Sequence, residues 1–167
     1  MTINPIVDEL IAKLLASIPT LASEIDDYDY SLESVGTHGR TPLMVTSSEG
    51  LTEAFELLIA KGALVNTTGN GLLTAIHEAA ANGHKQIVVR LVELGANVDA
   101  ETVDGVTPLM CAAAWGQIDV VRFLVGRGAD CMKIDGSGAT AADIAREKGE
   151  DEVAEVLESQ MKASESP

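Results

Sequence analysis

With 167 residues the chain is one domain or one short repeat array, and at 46% hydrophobic with a mean hydropathy of +0.17 it can bury a continuous core, which excludes wholesale disorder. Aromatics make up only 3%, so that core must be built from Ala, Leu, Val and Ile; acids outnumber bases 26 to 11, and a net charge of −15 excludes a free-standing nucleic-acid binder. Two cysteines, Cys111 and Cys131, are too few for a disulfide scaffold and suit a reducing compartment.

The first predicted element is a helix opening at Asn4-Pro5, along which Ile6, Val7, Leu10, Ile11, Leu14 and Leu15 follow i, i+3, i+4 spacing. Asp8, Glu9 and Lys13 interrupt the stretch and no basic leader precedes it, so it reads poorly as a signal peptide. No apolar run is long enough to span a bilayer. The expected address is the cytosol, with the nucleus open to a 17.5 kDa chain.

Beyond this helix one period governs the sequence. Thr41, Thr74, Thr107 and Thr140 are each 33 residues apart, as are Gly50, Gly83, Gly116 and Gly149 and the pairs Gly62-Ala63, Gly95-Ala96 and Gly128-Ala129. Three markers holding one period over more than a hundred residues define a repeat array. The units run 36–68, 69–101 and 102–134, followed by a closing unit at 135–158 and a frayed tail at 159–167. Counting back 33 from Leu43 lands on Leu10, and from Val65 on Leu32, so residues 1–35 read as a degenerate capping repeat with helices near 5–17 and 20–26. A separate, partner-binding amphipathic helix is the alternative.

The third unit shows the physics. Thr107 is suited to cap orphan N–H groups, and Pro108 at the first helical position removes an N–H that had no intrahelical partner. A short helix from Leu109 to about Trp115, lined by Ala112, Ala113 and Ala114, ends at Gly116, since glycine adopts the left-handed terminal conformation freely. A second helix, about Ile118 to Val125, turns Val120, Val121, Phe123 and Leu124 towards its neighbours and stops at Gly128-Ala129. Isolated helices become even marginally stable only at about 12–15 residues, so these gain order by stacking on the units before and after. The expected fold is an all-α helix-pair solenoid with hairpin-like turns along one edge.

At this point the units resemble ankyrin repeats, whose motif runs Asp-Gly, Thr-Pro-Leu-His, two alanines, Gly-His, a valine-rich helix and Gly-Ala-Asp-Val-Asn. The third unit carries Asp104-Gly105, Thr107-Pro108-Leu109-Met110, Ala112-Ala113, Gly116, Val120-Val121 and Gly128-Ala129-Asp130; the second carries His77, Ala79-Ala80, Gly83-His84, Ile87-Val88 and Gly95-Ala96-Asn97-Val98-Asp99. The resemblance spans roughly residues 36 to 158. Departures stand beside the matches. Ala75 replaces proline, and Gly71 sits one place early, leaving Leu72 where the turn glycine belongs, so that turn should deviate. In the first unit Met44 replaces histidine, and Thr46-Ser47 replace the alanine pair. In the closing unit Asp151, Glu152, Glu155 and Glu158 alternate with Val153, Val156 and Leu157, giving one wet and one apolar face.

No catalytic, metal or cofactor site emerges. His77-Glu78 begins like a zinc-protease helix, but Ala81 stands where the second histidine would be needed. His77 and His84 fall on the family's Thr-Pro-Leu-His and Gly-His positions, which implies a structural role. Cys111 and Cys131 read as small buried hydrophobes, Cys131 on a core valine position. Asn66-Thr67-Thr68 matches a glycosylation acceptor and reads as a polar turn.

The resemblance implies a non-enzymatic protein-binding module, an adaptor or an inhibitory subunit, using its concave face. Carried over by position, the expected contact residues are His38, Arg40, Asn70, Leu73, Val103, Asp104 and Val106 on the turn tips, and Glu49, Asn82 and Trp115 at the ends of first helices. Within that set Leu73, Val103, Val106 and Trp115 make the middle of the array apolar. Charge is concentrated at the ends: residues 1–35 carry −6 and residues 133–167 carry −5, against −4 for residues 36–132. The alternative is therefore an acidic chaperone or escort for a basic client. A monomer is expected, with no nucleic-acid or membrane partner.

Overall fold

Each unit folds because its ends are chemically marked. In the computed structural model, which describes residues 5–16 and 32–164, α1 is Pro5–Ala16, and four helix pairs follow: α2 (Pro42–Glu49) with α3 (Thr52–Ala60), α4 (Ala75–Ala81) with α5 (Lys85–Glu93), α6 (Pro108–Ala114) with α7 (Ile118–Gly126), and α8 (Ala141–Lys148) with α9 (Asp151–Ser164). The hydroxyls of Thr41, Thr107 and Thr140 accept the backbone N–H three residues on, each at 3.3 Å, which starts the first helix of their units. Pro42 and Pro108 take the first helical position. Gly50 and Gly149 close α2 and α8 in the left-handed conformation.

The first helices α2, α4, α6 and α8 pack against one another as an inner row, and α3, α5, α7 and α9 form the outer row. Inner-row approach is close because Ala79, Ala80, Ala112, Ala113 and Ala145 face it, all with no exposed surface. Phe55, Leu58, Ile87, Leu91, Val121 and Leu124 fill the space between the rows. One hydrophobic cluster runs through every pair, and no unit has a core of its own.

The N-terminal helix joins the same core. α1 packs on α2, and Leu10, the position equivalent to Leu43, is completely buried. Asp8 accepts the Thr37 N–H through both carboxylate oxygens (3.0 and 3.2 Å), tying α1 to the first turn. Leu32 joins Val65, Val98 and Cys131 as a half-buried row against the core. The expected second cap helix near 20–26 lies outside the described residues. At the other end the structure differs from the expected tail beginning at 159: α9 continues to Ser164, because Met161 extends the stripe of Val153 and Leu157 and stays packed on the core.

Candidate functional site

The turn tips are joined by single backbone hydrogen bonds across neighbouring units: Asn70 N–H to Gly39 O (2.8 Å), Val103 N–H to Gly71 O (2.9 Å) and Gly136 N–H to Asp104 O (2.7 Å). Gly39, Gly105 and Gly138 occupy one register position with φ of 70°, 73° and 86°; Leu72 fills the same position in the second unit at φ 63°. An L side chain there costs about 1–2 kcal/mol. The turn deviates as the displaced glycine implied: Asn70–Leu72 forms a short 3₁₀ turn with both Gly71 and Leu72 left-handed.

His77 stitches the second unit to the third. Its Nδ1 accepts from the Thr74 hydroxyl (2.8 Å) and N–H (3.3 Å), so Nε2 carries the proton and donates to the carbonyls of Ala100 and Val106, both at 3.1 Å. Burial outweighs those carbonyls and holds its pKa below the ordinary value, so the ring is neutral. His84 donates to Ser48 O at 2.9 Å, and Gln117, its equivalent one unit on, donates to Ala81 O. Both histidines are thus committed to the frame. The polar-turn reading of Asn66 fits too: its carboxamide bonds Gly95 O and the Asn97 N–H. Cys111 and Cys131 are free thiols; burial, with the Glu78 carboxylate beside it, pushes Cys111 up to about 12, and burial raises Cys131 as well. Neither is a thiolate at neutral pH. Among the described residues no His, Cys, Asp and Glu side chains converge as a metal would require.

The expected contact residues divide in two. His38, Glu49, Asn70, Asn82, Val103, Asp104 and Trp115 present exposed side chains, with Val103 at 67% and Trp115 at 69%. Leu73 and Val106 are half-buried, Val106 against the core. Arg40 is held inside the array: its guanidinium grips Glu78 with two contacts of 2.6 Å, a bidentate pair that draws α4 to the first tip. The expected apolar middle is therefore two features. Leu72 and Val103 flank a depression of about 380 Å³ on the tip edge, while Trp115 stands at the far end of α6, roughly 10 Å along the helix axis. Leu72 (46% exposed) and Ile134 (60%) are apolar tip residues absent from the expected set, although the missing turn glycine already marked Leu72.

Residues 43–135 and 103–164 match the family described as ankyrin repeats. The chain belongs to the ankyrin-repeat family. It is 31% identical over 161 residues to protein glp-1 of Caenorhabditis elegans, covering 90% of this chain and 12% of that protein. It is 39% identical over 74 residues to mouse protein phosphatase 1 regulatory subunit 12A, covering 44% of this chain and 7% of that one. A third relative, glycerophosphocholine phosphodiesterase gde1 of Schizosaccharomyces pombe, is 34% identical over 128 residues, covering 75% of this chain and 11% of that protein. The chain thus spans only a small part of the curated relatives it matches. Ankyrin repeats mediate protein–protein binding, and the array is a protein-interaction module of that kind. No described helix is long and apolar enough to cross a membrane.

Proposed function

We propose that this array is a non-enzymatic adaptor or inhibitory binding subunit that takes its protein partner on the concave face and the tip edge, with α1 as its N-terminal cap. The observation that carries this reading is Trp115. Ala112 and Ala113 of the same helix are completely buried, yet the chain's single tryptophan, two residues on, is 69% exposed at the helix end. Large aromatics gain most when a partner removes them from water, and they dominate interface energetics. His38, Asn70, Leu73, Val103, Asp104 and Val106 on the tips, with Glu49 and Asn82 at the ends of first helices, supply the surrounding contacts, and Arg40 braces the first tip through Glu78. Among the relatives, the phosphatase regulatory subunit supports a regulatory role by its name. The proposed setting is a monomer in the cytosol or nucleus.

The test is an affinity capture with wild type beside Trp115→Ala, followed by titration of the proteins lost. Affinity should fall by about 2 kcal/mol or more, with the helical content unchanged. Equal affinity removes Trp115 from the contact.

A second reading, an acidic escort for a basic client, rests on charge. The bases Arg40, Lys85, Arg90, Arg122, Lys133 and Arg146 are all engaged by acids of the same molecule, so the surplus behind the net −15 is carboxylate. Binding that drops steeply with added salt favours the escort; binding that ignores salt favours the apolar contact.

A further inference from the structure

Two Asn-Gly dipeptides occur in the second unit, Asn70-Gly71 at the tip and Asn82-Gly83 between α4 and α5. They share one intrinsic reactivity, because glycine leaves the following backbone nitrogen unhindered, but the fold treats them oppositely. The Asn82 carboxamide donates to Glu78 O (3.0 Å) and Ser48 Oγ (3.3 Å), and the Gly83 N–H donates to Ala80 O (3.3 Å). Both the electrophile and the nucleophile are held in place. At the tip the Asn70 carboxamide has no hydrogen-bond partner among the described residues, and neither does the Gly71 N–H. Both residues are exposed, and a Cβ added to Gly71 would meet only Val103 Cγ2, at 3.9 Å.

We infer that Asn70-Gly71 is a site of spontaneous succinimide formation, by which the folded protein converts its second tip from amide to acid. The Gly71 nitrogen attacks Asn70 Cγ. The new N–Cγ bond replaces Cγ–Nδ2, and ammonia leaves with the proton given up by Gly71 N–H. Water then opens either carbonyl of the ring, returning an aspartyl or an isoaspartyl residue at position 70. The only reagents are the chain and solvent. The isoaspartyl product routes the backbone through Cβ and Cγ, which places an extra atom between the two bonds that tie this tip to its neighbours, Asn70 N–H to Gly39 O and Val103 N–H to Gly71 O. It also adds a negative charge beside Leu72 and Val103, so on the reading above it alters the contact surface itself. The chemistry is measured without any partner and stands apart from that reading.

The molecule carries its own control. Trypsin cleaving after Lys61 and Lys85 releases both dipeptides on one peptide, residues 62–85, in which fragmentation mass spectrometry locates the amide-to-acid change. After incubation of the folded full chain at mildly alkaline pH, conversion at Asn70 should exceed that at Asn82 by about tenfold or more, since Asn82 must first give up its three local hydrogen bonds. In urea the two rates should converge. Because Asp104-Gly105 and Asp135-Gly136 can also form isoaspartate, methyltransferase labelling is read on the 62–85 peptide alone, where it should be strong in the aged protein and nearly lost in the Asn70→Gln variant. Equal conversion in the folded protein, conversion led by Asn82, an unconverted Asn70, or undiminished labelling of that peptide in Asn70→Gln would each overturn the inference.

Discussion

The second and third units share one frame and settle two of its positions in opposite ways. At the third residue of the inner helix the second unit has His77, which binds four polar groups and links two units, whereas the third has Met110, fully buried, whose thioether accepts the Thr107 N–H (3.4 Å) inside its own unit and bonds to no neighbouring unit among the described residues. At the tip the second unit has strained Leu72, and the third has Gly105 in the same left-handed conformation without strain. The second unit is therefore directional and internally stressed; the third is relaxed, and its departure from the frame is the exposed Trp115. Equivalent positions can be met by bonds that cross units or by one that stays local, and each choice leaves its own mark on stability.

Breaking the stitch should have the largest effect. His77→Ala strands the Thr74 hydroxyl and leaves the Ala100 carbonyl without its donor, while the Val106 carbonyl keeps the Thr102 N–H, and should cost about 2–3 kcal/mol in chemical denaturation; Met110→Leu, at the same position, should cost under about 1.5 kcal/mol. The histidine also predicts a pH dependence. Its folded pKa lies below the unfolded value of about 6.5, so the unfolded chain binds the proton first, and stability is lost as pH falls through and below that value. Thermal melts at neutral and mildly acidic pH should show this loss in wild type, and His77→Ala should lack that component.

The first unit sharpens the contrast from the opposite side. Ser47 replaces a frame alanine, and its hydroxyl is buried with no hydrogen-bond partner among the described residues. Ser47→Ala should stabilise by about 1–2 kcal/mol, and Ala113→Ser, at the equivalent position, should destabilise by a similar amount. Leu72→Gly should give a smaller gain, roughly 0.5 kcal/mol, because relief of the left-handed strain is offset by glycine's added unfolded-state freedom. Last is Arg40→Ala, which frees the half-buried Glu78 and should cost about 0.5–1 kcal/mol, less at high salt.

How much of this the sequence disclosed follows from the range of each interaction. The threonine caps and the terminal glycines repeat locally, so their period alone identified the stack. The odd tip was visible as a glycine out of place. Arg40 was expected on the contact face, and nothing near it reveals that its partner is Glu78, 38 residues on. The unequal tethering of Asn70 and Asn82 was equally hidden, since it depends on Ser48 in another unit. The continuation of α9 past residue 158 hangs on one methionine that makes a helical stripe only once its neighbours are known to be helical. Contact residues are the least legible, because the frame constrains them least.

The inter-unit bonds of His77, His84 and Gln117 each reach only the adjoining pair. Molecules joined this way behave like a short chain of coupled links, in which a weakened link uncouples what lies on either side. Severing the His77 connection should accordingly turn one cooperative melt into two, an early loss of the N-terminal block and a later loss of the third and closing units.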